Sequence, residues 1–190
     1  MDKQAWQAIR VFKNGGVVIF PTDTAFGIGC RIDAVESVKR VFDIKKRDYS
    51  KPLLALVDSM QMAKKYISIP KNVQLNLLNL YWPGGLTVFL KCDVEKVPSI
   101  VRSGTDSLAV RLPDHNDIRN IIKEVGFPIL ATSANFSGEP TPYSISEVNK
   151  KLLTKVDFVL NGECTFRKQS TIIDCTVKPW KVVRQGIVKI

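Results

Sequence analysis

The chain has 190 residues, 45% of them hydrophobic and 24% charged, which favours one globular domain over 1–190 with a substantial core. Its 28 Lys and Arg against 18 Asp and Glu give a net charge of +10, which favours polyanionic ligands but does not choose between nucleotides, RNA and anionic membranes. The chain has one histidine and four cysteines without a C-x-x-C pair, which argues against a zinc site. It has neither a secretory signal nor an apolar run long enough to span a bilayer, so we predict a cytoplasmic protein with reduced thiols.

The N-terminal segment reads as a helix followed by a buried strand. An amphipathic pattern over residues 2–14 starts at Asp2, a good N-cap, and stops at Gly15-Gly16. The apolar run 17–20 predicts a strand. The glycines of Phe26-Gly27-Ile28-Gly29 then suggest tight turns or a close approach of this backbone to another group.

Residues 33–57 predict a helix that ends in a cluster of cations and leads into a buried strand over 53–57. Asp33 and Glu36 stand where an N-cap and a capping-box acid belong. The expected apolar face comprises Val35, Val38, Val41, Phe42 and Ile44. The cations Lys45, Lys46, Arg47 and Lys51 follow, and they either complement the helix dipole or hold an anion.

Helices and strands alternate unevenly along the rest of the chain. Helices are predicted over 59–66, 73–81, 116–125 and 144–153, the third capped by His115 or Asn116 and the fourth by Ser144 or Ser146. Strands are predicted over 86–90, 108–112, 128–131, 158–160, 170–174 and 182–184. The uneven spacing indicates a single-domain α/β fold, with a twisted mixed β-sheet flanked by helices.

The sequence lacks several familiar catalytic patterns. There is no G-x-S-x-G elbow, no P-loop and no carboxylate pair of the glycosidase kind. What remains is a set of hydroxyls, amides and cations at predicted element ends: Thr24, Lys45, Arg47, Lys51, Ser107, Arg111, Ser133, Asn135, Ser170 and Arg184. Together they suit a basic concave cleft for phosphoryl or nucleotidyl transfer, a reaction that depends on positioning and charge neutralisation.

Seven blocks in register resemble the YrdC/Sua5/TsaC family, the threonylcarbamoyl-AMP synthases, over essentially the whole chain from Gly15 to the C-terminus. They read FPTDTAFGIGC, IKKRDYSKPLLAL, WPGGLTVFL, LAVRLPDH, ILATSANFSGEPTP, QSTIID and VVRQG. The family's K-x-R and S-x-N signatures stand at Lys45-Lys46-Arg47 and Ser133-Ala134-Asn135. The resemblance implies a YrdC-like domain that makes L-threonylcarbamoyladenylate and pyrophosphate from L-threonine, bicarbonate and ATP.

The resemblance also implies roles for individual residues. Lys45, Arg47, Ser133 and Asn135 are expected to be catalytic. Thr24, Arg111, Ser133 and Ser170 are expected to hold L-threonine, with Arg111 at its carboxylate. Arg47, Lys51, Ser107, Asn135, Tyr143 and Arg184 are expected to bind ATP, whose phosphates carry Mg²⁺. The product would pass to a tRNA threonylcarbamoyl transferase complex that modifies adenosine 37 of ANN-decoding tRNAs.

Three positions differ from the family pattern. Lys51 and Leu56 stand where relatives often carry Asn and His, and Tyr143 stands where many carry Thr. The expected end at Ile190 corresponds to the short bacterial type, without the additional C-terminal domain of the longer Sua5 type.

Two other functions remain open from the sequence. The net charge of +10 is also compatible with a non-catalytic module that binds double-stranded RNA or tRNA in ribosome maturation. A carbamoyl-adenylate activity that uses carbamoyl phosphate, as in hydrogenase maturation factors, is the second alternative. We expect no protein-bound metal in any of these cases.

Overall fold

The chain folds around one nine-stranded mixed sheet, and the computed structural model describes residues 1–190. The strands are β1 (Val18–Phe20), β2 (Gly27–Gly29), β3 (Leu54–Leu56), β4 (Leu86–Lys91), β5 (Ser107–Arg111), β6 (Ile129–Ser133), β7 (Phe158–Val159), β8 (Thr171–Asp174) and β9 (Lys181–Arg184). Their order in the sheet is β7-β1-β2-β6-β3-β5-β4-β8-β9. The pairs β1–β7, β3–β5 and β4–β8 are parallel and the other neighbours antiparallel. The predicted mixed α/β fold is confirmed.

The helices are short, and several begin where a capping residue stands. They are α1 (Lys3–Lys13), α2 (Val35–Lys45), α3 (Met60–Lys64), α4 (Lys71–Val73), α5 (Asn79–Tyr81), α6 (Asn116–Val125) and α7 (Lys150–Leu153). The carboxylate of Asp2 accepts from the N–H of Ala5 at 2.8 Å, and Nδ1 of His115 accepts from the N–H of Ile118 at 3.4 Å. Both caps are as predicted. None of the helices combines the length and apolarity needed to cross a bilayer.

Side chains alternate between the two faces of the central strands, so one face is core and the other is available for a site. On β5, Leu108 and Val110 are buried in the main hydrophobic cluster, together with residues of α1, α2 and α6. Ala109 and Arg111 therefore point to the opposite face. In the register of the sheet, Ala109 lies beside Phe89 of β4 and Leu54 of β3.

The expected N-cap of α2 at Asp33 is wrong. Both oxygens of the Asp33 carboxylate accept from Arg31, at 2.9 and 2.6 Å, and neither accepts from a backbone N–H of the helix. The helix instead starts after Ala34, without a side-chain cap, and Glu36 pairs with Lys39. Val35 does not join the apolar face either, since it is exposed.

The segment predicted as a glycine turn is a strand. β2 pairs antiparallel with both β1 and β6, and its burial is complete. A Cβ at Gly29 would overlap the carbonyl oxygen of Leu130, so the predicted close approach is present at this residue, and the group approached is the backbone of β6. Glycine is used here for space within a sheet and not for a turn.

Two predicted helices are interrupted. Residues 74–78, between α4 and α5, form a π-helical turn, for which the sequence gives no signal. The helix predicted over 144–153 is a 3₁₀ turn, Ile145–Glu147, followed by α7. Between them Val148 is extended and buried, and the side chain of Asn149 caps α7 by accepting from the N–H of Lys151 at 3.0 Å. The anchoring of Val148 in the core breaks the helix.

Candidate active site

A cavity of about 220 Å³ opens on the sheet face that carries Ala109 and Arg111. Strands β2–β6, β8 and β9 and the segments after β1 and α2 contribute its lining, which contains no carboxylate. Six of the predicted site residues lie there: Thr24, Arg47, Arg111, Ser133, Ser170 and Arg184. Residues separated by as many as 160 positions in the chain thus face one hollow, as the hypothesis of a single basic cleft requires.

The end of α2 explains the spacing of the K-x-R signature. Lys46 is the C-cap of the helix and adopts a left-handed conformation, with φ of 51°. This reversal leaves the Lys46 side chain exposed, while Lys45 is buried and Arg47 half-buried on the site side. A cation therefore reaches the site from each side of the capping residue.

Lys45 reaches the S-x-N turn and not the cavity itself. Its ammonium donates to the carbonyl oxygens of Ser133 and Asn135 and, at 3.1 Å, to Oδ1 of Asn135. Burial and the neighbouring charge of Arg47 lower the pKa of Lys45 to about 7, whereas Glu139 opposes that change. The three acceptors also favour the ammonium form, because only that form has three N–H donors.

The side chain of Asn135 is fully engaged within the same turn. Its Oδ1 accepts from the hydroxyl of Ser133 at 2.6 Å and from Lys45. Its Nδ2 donates to the carbonyl oxygens of Glu139 and Pro140, at 2.6 and 3.2 Å. Asn135 therefore shapes the turn that presents Ser133 to the cavity, and does not line the cavity itself.

Arg47 and Arg184 are the two cations of the cavity that lack a carboxylate partner; neither forms a salt bridge. Arg47 donates through Nε and Nη2 to the carbonyl oxygens of Lys51 and Pro52, at 3.2 and 2.9 Å. Arg184 donates through Nε and Nη2 to the carbonyl oxygen of Ser170, at 3.0 and 2.9 Å. Burial lowers the pKa of both guanidiniums, which remain charged at neutral pH.

Arg111, in contrast, is paired. Its Nη1 donates to Oδ1 of Asp23 at 2.6 Å, and both side chains are almost completely buried. Its Nε is buried without any hydrogen-bond partner. From the sequence, a charged side chain in an apolar strand was expected to have an ionic partner or to line a cleft. Arg111 does both, since it pairs with Asp23 and lines the cavity.

Besides Lys45 and Asn135, three more predicted residues lie outside the cavity lining. Lys51 is exposed, and only its carbonyl oxygen takes part in the site, as an acceptor for Arg47. Ser107 begins β5 on the same face as Arg111, but at the far end of the strand. Tyr143 is half-buried and close enough to Arg184 to influence its pKa.

Sequence reasoning missed several lining residues. Thr22, Thr87, Thr141 and Gln169 contribute polar groups, and Phe89 and Ile172 contribute apolar surface. The hydroxyl of Thr87 lies 2.9 Å from that of Ser170, which also accepts from Arg184 at 3.0 Å. Strand alternation places Thr87 and Phe89 on the face of β4 opposite Leu86, Val88 and Leu90, but only the sheet shows that this face carries the cavity.

The arrangement suits a ligand with several anionic oxygens. Two guanidiniums held by backbone carbonyls retain free N–H groups, and the surrounding hydroxyls can donate or accept. The described residues contain no group of three His, Cys, Asp or Glu side chains that could hold a metal ion. The cationic side chains in the cavity lining are all arginines: Arg47, Arg111 and Arg184.

A family model and the similar proteins of known sequence indicate the same family. Residues 10–186 match the Sua5_yciO_yrdC family model, which is described as telomere recombination. The chain is 31% identical to the threonylcarbamoyl-AMP synthase of Vibrio campbellii over 95% of this chain and 97% of that protein. It is 30% identical to the threonylcarbamoyl-AMP synthase of Bacillus subtilis over 92% of this chain, but only 51% of that protein.

A solved structure with similar architecture is that of Pyrococcus abyssi Sua5 complexed with L-threonine. It superposes with a TM-score of 0.90 at 32% identity, over 98% of this chain and 56% of that one. The chain thus spans about half of the length of the Bacillus and Pyrococcus relatives and nearly all of the Vibrio relative.

Proposed function

The chain belongs to the Sua5/YciO/YrdC family, and we propose that it is an L-threonylcarbamoyladenylate synthase. This nucleotidyltransferase would form threonylcarbamoyl-AMP and pyrophosphate from L-threonine, bicarbonate and ATP. The observation that carries the proposal is the cavity in which Arg47 and Arg184, free of carboxylate partners, face the hydroxyls of Thr24, Ser133 and Ser170. Relatives with this name and a relative that binds L-threonine support it.

The chemistry requires that two anions meet. The threonine amine adds to bicarbonate, with loss of water, to give a carbamate. A carbamate oxygen then attacks the α-phosphorus of ATP, and pyrophosphate leaves with the electron pair of the broken P–O bond. Nucleophile and electrophile both carry negative charge, so fixed cations lower the barrier by offsetting their repulsion. Arg47 and Arg184 are the residues that we assign to this task.

The threonine end of the site is assigned to Arg111 and the hydroxyl groups. Arg111 would receive the substrate carboxylate, and Thr24, Ser133 and Ser170 would orient the remaining polar atoms. All four line the cavity. Its volume of about 220 Å³ suits the amino acid, so the nucleotide would extend beyond it along the sheet.

The nucleotide end is assigned to residues at the margin of the cavity. Lys51, Ser107 and Tyr143 would meet ATP outside the hollow. Lys45 and Asn135 would act through the turn that they hold around Ser133.

Magnesium would arrive as the counter-ion of ATP. Because the cavity lining contains no carboxylate, the protein offers no ligand set of its own, and the ATP phosphates would hold the ion. Its contribution is to neutralise phosphate charge next to Arg47 and Arg184.

The product would serve tRNA modification. We propose that a tRNA threonylcarbamoyl transferase complex receives it for N6-threonylcarbamoyladenosine at position 37 of ANN-decoding tRNAs, in the cytoplasm. Direct contact with tRNA or other double-stranded RNA is compatible with the net charge of +10.

Pyrophosphate release is the decisive measurement. We expect ATP-dependent release that requires both L-threonine and bicarbonate, measured with each omitted in turn. Release that requires carbamoyl phosphate instead would favour the hydrogenase-maturation type of activity. No release under any of these conditions, together with salt-dependent RNA binding, would favour the non-catalytic RNA-binding function.

A further inference from the structure

The buried carboxylate of Asp23 lies beside the active site without lining it. Asp23 stands between Thr22 and Thr24, which both face the cavity, yet its own side chain is completely buried. A buried carboxylate is expensive unless every lone pair finds a donor. The hydrogen bonds of Asp23 therefore indicate its role at the site.

Asp23 ties together three segments around the site. Its Oδ1 accepts from Nη1 of Arg111 at 2.6 Å, and its Oδ2 accepts from the N–H of Asp114 at 3.2 Å. Its carbonyl oxygen accepts from the N–H of Phe166 at 2.7 Å. The turn after β1, the end of β5 and the loop before β8 thus meet at one residue.

The contact with Asp23 fixes how Arg111 faces the cavity. Nη1 is the only guanidinium nitrogen of Arg111 with a protein partner, while Nε is buried without one. Nη2 also has no protein partner, and unlike Nε it is not closed off from the cavity, so a ligand oxygen can reach the guanidinium there. The edge of a guanidinium that carries Nε matches the two oxygens of a carboxylate.

We infer that Asp23 is a positioning residue, which holds Arg111 by Nη1 so that the free Nε–Nη2 edge of its guanidinium receives the carboxylate of the amino-acid substrate. The inference rests on the proposed function, since it takes L-threonine as the ligand. Asp23 also cancels the charge of Arg111. Arg111 therefore orients the substrate carboxylate through directional hydrogen bonds and adds no net charge to the site. Arg47 and Arg184 supply the positive charge for the phosphates.

The variant Asp23→Asn separates this role from simple packing. Asparagine keeps the shape but offers one acceptor where Arg111 and Asp114 require two, so the guanidinium loses its fixed orientation. We expect the Kd and KM for L-threonine to rise at least about tenfold, and the KM for ATP to change less than about twofold.

Asp157→Asn is a matched control. The Asp157 carboxylate likewise accepts from a backbone N–H, that of Val17 at 2.7 Å, and from a guanidinium nitrogen, that of Arg40 at 2.5 Å. It lies outside the cavity lining. This variant should lower the thermal stability and leave the KM for L-threonine unchanged.

A folded Asp23→Asn protein with an unchanged KM for L-threonine, or with both KM values raised equally, would overturn the inference. A measurement on the wild-type chain covers the case in which that variant does not fold. The ¹⁵N-labelled Nε–H resonance of Arg111, assigned by its loss in Arg111→Lys, should shift when L-threonine is added. An unshifted resonance at saturating L-threonine would overturn the inference as well. Pyrophosphate release by the wild-type chain is tested separately, and its absence would overturn the proposed function whatever Asp23 does.

Discussion

Lys45 and Arg47 leave the same helix end but meet different surroundings. Lys45 is enclosed by the oxygens of the Ser133–Asn135 turn, whereas Arg47 is held by two backbone carbonyls and retains N–H groups toward the cavity. The exposed Lys46 between them has neither contact. The C-terminal end of α2 thus supplies Lys45, which holds the Ser133–Asn135 turn, and Arg47, which lines the cavity.

Replacing Arg47 by Ala should remove activity with little loss of stability. The change deletes one of the two unpaired guanidiniums of the cavity, and we expect kcat/KM for pyrophosphate release to fall by at least ~100-fold. The two hydrogen bonds that it loses end on carbonyls at the margin of the site, so the unfolding free energy should fall by only about 1 kcal/mol. Kinetics and thermal melts of the same preparation measure both quantities.

Lys46→Gly is the control for that experiment. Glycine adopts the left-handed conformation of this C-cap without strain, and the Lys46 side chain is exposed, so both activity and stability should persist. Equal losses of activity in the two variants would show that Arg47 acts only as a cation at the helix end.

The lowered pKa of Lys45 predicts a pH dependence of stability. In the folded chain this pKa is about 7, below the ordinary value of 10.5 that applies after unfolding. Between these values the unfolded chain binds more protons, so stability relative to Lys45→Met should rise with pH. We expect the difference in unfolding free energy to change by more than ~1 kcal/mol between pH 7 and pH 9 in urea titrations. Parallel profiles would show that the three oxygen acceptors keep Lys45 protonated in that range.

At the scale of elements, β2 holds the S-x-N turn in place. It pairs Gly27 with Ser133, at the point where β6 enters the turn, and Gly29 lies against the backbone of Leu130. The structure of the turn therefore depends on a strand that has almost no side chains of its own. This dependence makes a glycine in β2 a structural requirement of the site.

Gly29→Ala should unfold this region. Its Cβ would overlap the Leu130 carbonyl, and neither backbone can move without separating β2 from β6. We expect a loss of more than ~3 kcal/mol, seen as a large fall in Tm or as insoluble protein. Gly27→Ala is the control for stability, because its Cβ meets nothing closer than the Phe20 ring at 3.4 Å. Similar Tm values for the two variants would contradict the close-approach argument.

The elements that the sequence predicted well are those with a strong local signal. Asp2 and His115 cap their helices, and the apolar runs of β4 and β5 form strands, because caps and runs act over a few residues. The predicted cap at Asp33 was wrong. The Asp33 carboxylate accepts hydrogen bonds from its near neighbour Arg31, a local contact that competes with capping.

The failures at longer range have a different cause. β2 was missed because Gly27 and Gly29 have low strand propensity, and only pairing with β1 and β6 makes them a strand. Within the site, Arg111 could be singled out because charge in an apolar strand is costly. Thr87 could not, since a buried threonine gives no such signal before the strand order is known.

At the scale of the whole molecule, the net charge of +10 should act on the two proposed substrates differently. ATP is a polyanion, so the field of the protein attracts it over long distances, and salt screens that attraction. L-Threonine is a zwitterion without net charge at neutral pH, so in the proposed function its binding would depend on short-range contacts with the cavity. Raising NaCl from about 50 to about 200 mM should therefore raise the KM for ATP several-fold and leave the KM for L-threonine nearly unchanged. Sucrose at matched osmolality controls for water activity, and should change neither value. An equal rise of both KM values with salt would contradict long-range electrostatic attraction of ATP. Arg47 and Arg184 would then bind ATP through short-range contacts alone.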